Sequence, residues 1–190
     1  MKYDILLSGV GGQGVLSMAG LIGLAAVAEG LYAKQSEVHG MAQRGGAVQA
    51  HMRLSDQTIE SDLIPKGAAD LILSMEPMES LRYLPYLAPD GTLITSSNPV
   101  RNISDYPDLD RLLSQIRSLP RSIVVDAEKL AREAGSARAT NMVMVGAATH
   151  LLPVKPEAIE NAVRSLFLRK GEKVVEVNLR ALRAGREAAR

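Results

Sequence analysis

This sequence predicts an α/β domain of three layers, with a mixed, mainly parallel sheet and helices collected towards its C-terminal end. Three observations predict it. A short apolar run ends in glycines and opens a helical stretch, further short apolar runs alternate with helical or turn-forming sequence, and one segment alternates with period two.

The first run, Tyr3-Asp4-Ile5-Leu6-Leu7-Ser8, is a buried strand by its continuous apolar character. Small and aliphatic residues dominate residues 12–28, and Glu29-Gly30 closes that stretch as a helix C-terminus does. Residues 31–34 read as a short second strand. Across residues 46–54, Val48, Ala50, Met52 and Leu54 alternate with Gln49, His51 and Arg53, the mark of a strand with one wetter face. Ser55-Asp56-Gln57 supplies turn chemistry, and Thr58-Ile59-Glu60 is expected to pair back as a hairpin, which makes the sheet mixed. Further strands are expected at residues 70–74, 92–95 and 122–126. A helix is expected at 76–87, with Pro77 and Pro85 at its ends. Residues 141–152 are apolar nearly all round and predict a buried helix. Ile159, Ala162, Val163, Leu166 and Phe167 form an amphipathic stripe that Pro156 can open. With no linker, repeat or low-complexity tract, residues 1–190 read as one domain.

At 190 residues and 20.4 kDa the chain can bury one good core. A net charge of +1 and 3% aromatics give no case for nucleic acid as a partner, by field or by base stacking. Cysteine is absent, so the chain can supply no disulfide, thiolate nucleophile or Fe–S ligand. Its first residues lack a signal-peptide pattern, and the longest apolar stretches fall short of a membrane span. A soluble cytoplasmic protein is the expectation.

Gly9-Val10-Gly11-Gly12-Gln13-Gly14-Val15 carries the spacing G-x-G-x-x-G between a strand and a helix, the Rossmann-like opening. Glycines let the chain turn tightly and bring backbone N–H groups to an anion, and the following helix adds its positive end. The motif alone does not choose among a dinucleotide, another phosphate or carboxylate group, and close packing without a ligand. A dinucleotide site also wants an acid at the end of the second strand. Glu37 is the nearby candidate and lies beyond the expected strand end.

Ser36-Glu37-Val38-His39-Gly40-Met41-Ala42-Gln43-Arg44-Gly45-Gly46 is polar, glycine-bearing and without apolar period, and is expected to be a loop. Both loops leave the carboxyl ends of strands, where open α/β sheets bind ligands, so they can face one another. The candidate binding residues are Gly9, Gly11, Gly12, Gln13, Gly14, Ser36, Arg44, Gly45 and Gly46. No residue is singled out as catalytic. His39, His51 and His150 form neither a triad order nor zinc-ligand spacing. Arg180, Arg183 and Arg186 fall at helical spacing, as a solvated face or as a docking surface for an acidic partner.

Taken together, the strings at Gly9 to Val15 and Ser36 to Gly46 resemble the gamma-type domain of 2-oxoacid:ferredoxin oxidoreductases, and within it the indolepyruvate-type small subunits. Asn141-Met142-Val143-Met144-Val145-Gly146 is similar to the Asn-led apolar helix late in that domain, and the likeness covers nearly the whole chain. The resemblance implies oxidative decarboxylation of an arylpyruvate to an acyl-CoA with reduction of ferredoxin. It places thiamine diphosphate, Mg2+ and the Fe–S clusters in a large partner subunit, with this chain inactive alone. In this reading the chain completes the active site and helps hold CoA. Gly11, Gly12, Gln13 and Gly14 would present donors to an anion. Arg44 would pair with a phosphate or the substrate carboxylate, Ser36 would donate a hydrogen bond, and Gly45 and Gly46 would let the backbone approach. Two alternatives stand beside it: a free-standing Rossmann-like oxidoreductase using NAD(P) or flavin, and a purely structural assembly subunit.

Overall fold

Ile5, Leu6 and Leu7 carry side chains to both faces of a strand, and all are fully buried, so the strand that holds them must run through the middle of a sheet. It does. The computed structural model describes residues 1–39 and 45–190. Its strands are β1 (Lys2–Val10), β2 (Tyr32–His39), β3 (Ala47–Ser55), β4 (Ala69–Ser74), β5 (Leu87–Ser96) and β6 (Ser122–Val125). They form one six-stranded sheet in the order β2-β3-β1-β4-β5-β6. β1, β4, β5 and β6 run parallel, and β3 lies antiparallel between β1 and β2.

The helices are α1 (Val15–Ala28), α2 (Pro77–Arg82), α3 (Leu109–Arg117), α4 (Ala127–Glu133), α5 (Thr140–Ala148), α6 (Pro156–Phe167) and α7 (Glu172–Ala188). One face of the sheet carries the larger core, from Ile5, Leu7, Met52 and Leu71 to Met18, Ile22, Val143, Ile159 and Leu182 of the helices. The other face carries Leu6, Ile72 and Leu93 under Leu113 and Ile116 of α3. The mixed, mainly parallel three-layer domain expected from the sequence is therefore the fold observed. α5 is apolar on every side because it lies between the sheet and α7; Met142 to Ala148 are all buried. The two helices approach backbone to backbone at Gly146 and Gly185, where a methyl group on either would lie 1.9 Å from a carbonyl oxygen of the other helix.

Three local expectations need correction. Residues 36–39 are not loop but the last part of β2, paired with β3 as far as His39 opposite Val48. Polar residues suit this edge strand, which has water on one side, and periodicity alone does not tell such a strand from a loop. Thr58-Ile59-Glu60 forms no strand. Both edges of β3 are already taken by β1 and β2, so the segment crosses the sheet face instead. There Arg53 donates to the carbonyls of Ser61 (2.9 Å) and Leu63 (3.0 Å). The helix expected through residue 87 stops at Arg82, a 3-10 turn covers Leu84–Tyr86, and Leu87 already opens β5. Pro85 has no N–H to continue an α-helix.

The basic C-terminal run is tied to neighbouring elements, with Arg183 still half exposed. Arg183 and Arg186 of α7 both bind Glu160 of α6, at 2.7 and 3.1 Å. Arg180 donates to the carbonyl of Ala134 at 3.1 Å.

Candidate anion-binding site at the carboxyl edge of the sheet

The connection from β1 to α1 is built from glycines because the backbone there enters the left-handed region, at φ 104° for Gly12 and 84° for Gly14. Gly14 also touches α5: a Cβ there would lie 2.9 Å from Nδ2 of Asn141. The two glycine segments meet as their placement suggested. Gly11 donates its N–H to the carbonyl of Gly46 (2.8 Å), and Gly45 donates to the carbonyl of Gly11 (3.2 Å).

The sequence-predicted site residues divide. The N–H of Gly11 is engaged by Gly46, and Gln13 is engaged at both ends of its amide. Its Oε1 accepts from the N–H of Val10 (2.8 Å) and its Nε2 donates to the carbonyl of Met75 (3.2 Å), which joins the carboxyl ends of β1 and β4. Gly9 allows this, since a Cβ there would meet Oε1 of Gln13 at 2.9 Å. Gly12 and Gly14 face the open side of the turn. Their N–H groups, with those of Val15, Leu16 and Ser17, find no acceptor among the described residues. Ser36 is not brought to the turn: it stands on β2 opposite His51, with β3 between it and β1. Arg44 lies outside the described residues.

α1 therefore begins without a side-chain cap, on a glycine turn, with several unsatisfied donors. It opens onto a cleft of about 370 Å3 between the turn, Leu16, Ser17 and Val48. α5 starts beside Gly14, but the 3-10 turn leading into it is capped by Ser136, and Asn141 Oδ1 accepts the N–H of Met142 at 3.0 Å. The start of α1 carries roughly half a positive charge at the turn. Cations add to this field. Arg138 lies between a groove of about 550 Å3, which also holds Lys170 and Lys173, and a hollow of about 650 Å3 beside Gly12, Gln13 and Met75. Arg132, in that hollow, is paired with Glu128 at 2.6 Å. No carboxylate among the described residues pairs with Arg138, Lys170 or Lys173. Such an edge can hold an extended polyanion, with main-chain donors at its centre and mobile cations around it.

Sequence reasoning missed Arg138, Lys170 and Lys173. One signal was available for the first: Arg138 comes two residues before the apolar run beginning at Thr140 and Asn141, and a cation at a helix start is unfavourable unless an anion joins it.

The histidine and the acid considered from sequence play other parts. His51 is buried, its Nδ1 accepts the N–H of Ile64 at 2.9 Å, and its ring meets Tyr86 edge-on at 5.6 Å. Burial lowers its pKa below the ordinary imidazole value, which keeps it neutral and structural. Glu37 stands on β2, and the antiparallel β3 separates β2 from β1. In a dinucleotide-binding sheet the acid-bearing second strand adjoins the first, so this order does not set Glu37 beside the turn. No group of three or more His, Asp or Glu among the described residues could hold a metal ion. No helix among them is long and apolar enough to cross a membrane.

Known proteins resemble this chain in sequence and fold. The indolepyruvate oxidoreductase subunit IorB of Archaeoglobus fulgidus is 38% identical over 97% of this chain and 94% of its own length. The subunit of the same name from Pyrococcus horikoshii is 38% identical over 100% of this chain and 96% of its own. The gamma subunit of a keto/oxoacid ferredoxin oxidoreductase from Geobacter sulfurreducens has the same fold, with a TM-score of 0.74, 28% identity and 98% of each chain covered. The model of the pyruvate ferredoxin/flavodoxin oxidoreductase family matches residues 4–188, and the chain belongs to that family.

Proposed function

We propose that this chain is the small subunit of an indolepyruvate:ferredoxin oxidoreductase and that its glycine edge holds the phosphates of coenzyme A. One observation carries the second part: an uncapped helix start, on a glycine turn, stands beside a groove and a hollow lined by three cations with no described carboxylate partner. The first part is supported by identity to indolepyruvate oxidoreductase subunits over essentially their whole length.

In this reading the N–H groups of Gly12 and Gly14 and of the first turn of α1 bind a diphosphate. Arg138, Lys170 and Lys173 take the remaining phosphate charge, and Arg44 takes a phosphate or the substrate carboxylate. Gly45 and Gly46 bring the second loop against the turn, and Ser36 supports that loop from β2. Charge pairing here is exposed, so it confers orientation and rate of capture more than raw affinity. The chain's work is to hold the coenzyme so that its thiol points into an active site completed by a large partner subunit in a hetero-oligomer. Thiamine diphosphate with Mg2+, and the Fe–S clusters that pass electrons to ferredoxin, belong to that partner in this reading; a chain with no cysteine cannot ligate a cluster. The assembly works in the cytoplasm.

The test is arylpyruvate- and CoA-dependent reduction of a viologen dye by the candidate large subunit, with and without this chain. Turnover only when both are present is the expected result. A competent large subunit indifferent to this folded chain would overturn the proposal and favour the free-standing nucleotide-binding alternative.

A further inference from the structure

At the carboxyl end of β4, Glu76 is 0% exposed and has no place in the phosphate-binding surface. Three donors from separate parts of the chain converge on it. Its Oε2 accepts the N–H of Glu79 at 2.8 Å, capping α2. Its Oε1 accepts the N–H of Val100 at 3.4 Å and a short hydrogen bond from the hydroxyl of Tyr106. Burial and this carboxylate raise the Tyr106 pKa, so its hydroxyl stays a donor, and the Arg101 guanidinium lies 5.7 Å over its ring. Val100 and Tyr106 thus tie down both halves of the irregular segment between β5 and α3. From its middle, the side chain of Asn102 donates to the carbonyl of Gly45, and Gly45 is hydrogen-bonded to Gly11. Asn102 also donates its N–H to the carbonyl of Val100 at 2.9 Å, so hydrogen bonds and a short stretch of backbone link the buried carboxylate to the glycine turn.

We propose that Glu76, Tyr106 and Asn102 form a strut that positions the Gly45–Gly46 backbone against the glycine turn. The segment at residues 97–106 is then a working wall of the site, and these three are positioning residues, touching no ligand themselves. That the strut sharpens CoA binding rests on the coenzyme reading given above.

Two variants test it in the full chain: Tyr106→Phe, which removes one hydroxyl, and Asn102→Ala, which removes the link to Gly45. Hydrogen exchange measured by mass spectrometry should quicken by about fivefold at residues 9–14 and 45–48, the effect of losing one hydrogen bond from a closing segment. Residues 142–148 and 175–182 should exchange as before. In the reconstituted enzyme the KM for CoA should rise by a similar factor with kcat little changed. Unaltered exchange at both glycine segments in both variants overturns the strut, as does acceleration spread evenly through α5 and α7. Faster exchange there with an unchanged KM for CoA upholds the strut and removes the coenzyme from this cleft.

Discussion

Gly146→Ala and Gly185→Ala should destabilise this protein although alanine is the better helix former. An ideal Cβ on Gly146 would lie 1.9 Å from the carbonyl oxygen of Leu182, and one on Gly185 would lie 1.9 Å from that of Val143. Ordinary contact begins at 3.4 Å, so methyl and carbonyl must part by about 1.5 Å, and neither is the tip of a flexible side chain. Prying α5 from α7 by that much takes from the seam roughly half or more of the dispersion energy of its lining atoms. Overpacking of a tight core costs about 1–3 kcal/mol, and backbone on both sides of the clash places this case near the top. The helix preference of Ala over Gly returns about 1 kcal/mol. The net loss is about 2 kcal/mol, which lowers Tm by about 4–8 °C in a domain of this size. Gly20→Ala in α1 is the internal control. Gly20 is exposed and a Cβ there meets nothing within 4 Å, so only the helix preference acts and stability should rise by about 0.5–1 kcal/mol. Calorimetry or thermal circular dichroism on the three variants reads both signs. A Gly146→Ala protein melting at or above the parent temperature would refute the packing argument.

Arg138→Ala should raise the KM for CoA of the reconstituted oxidoreductase by about threefold and leave kcat nearly unchanged, the loss expected from one exposed charge pair. An unchanged KM at low ionic strength would remove Arg138 from the coenzyme surface. Asp4 is fully buried and binds Arg53 at 2.9 Å, so Asp4→Asn leaves a mostly buried guanidinium without its counter-charge. Urea denaturation should show a loss of about 3 kcal/mol; a loss below that of an ordinary surface substitution would show the pair to be dispensable. His51 supplies a pH dependence. Its folded pKa is lowered by burial, so the unfolded chain takes up the proton first as pH falls. The stability it contributes is whole above the ordinary value of 6.5 and is lost as pH falls through the lower folded value. Urea midpoints between pH 7 and 5 should fall more steeply for the parent than for His51→Gln, and parallel curves would contradict this.

Much of the molecule could be read along the chain. The apolar runs at β1, β4 and β6, the alternation at β3 and the all-round apolar character of α5 each report their surroundings directly, because burial on two faces, one face or every side selects residues locally. The glycine turn was legible for the same reason: left-handed backbone at Gly12 and Gly14 requires glycine whatever binds nearby. The absence of cysteine settled from composition alone that these residues offer no thiolate to a cluster.

Tertiary structure decided the rest, and in each case the deciding contact joins residues far apart in sequence. Gln13 has the composition of a ligand donor, yet its amide is held by Val10 and by Met75, 62 residues away. Thr58-Ile59-Glu60 has strand composition, but the strand it would pair with has no edge left. Ser36 shares a polar string with Gly45 and Gly46, and a hairpin carries it to the far side of β3. Arg138, Lys170 and Lys173 form no motif and become one surface only when α7 packs on α5. The sequence by itself determined the elements, the turn and the chemistry the chain lacks, since these depend on each residue's own conformational and solvation preferences. Which donors stay free to meet an anion depends on which ones the fold has already satisfied, and only the assembled tertiary structure decides that.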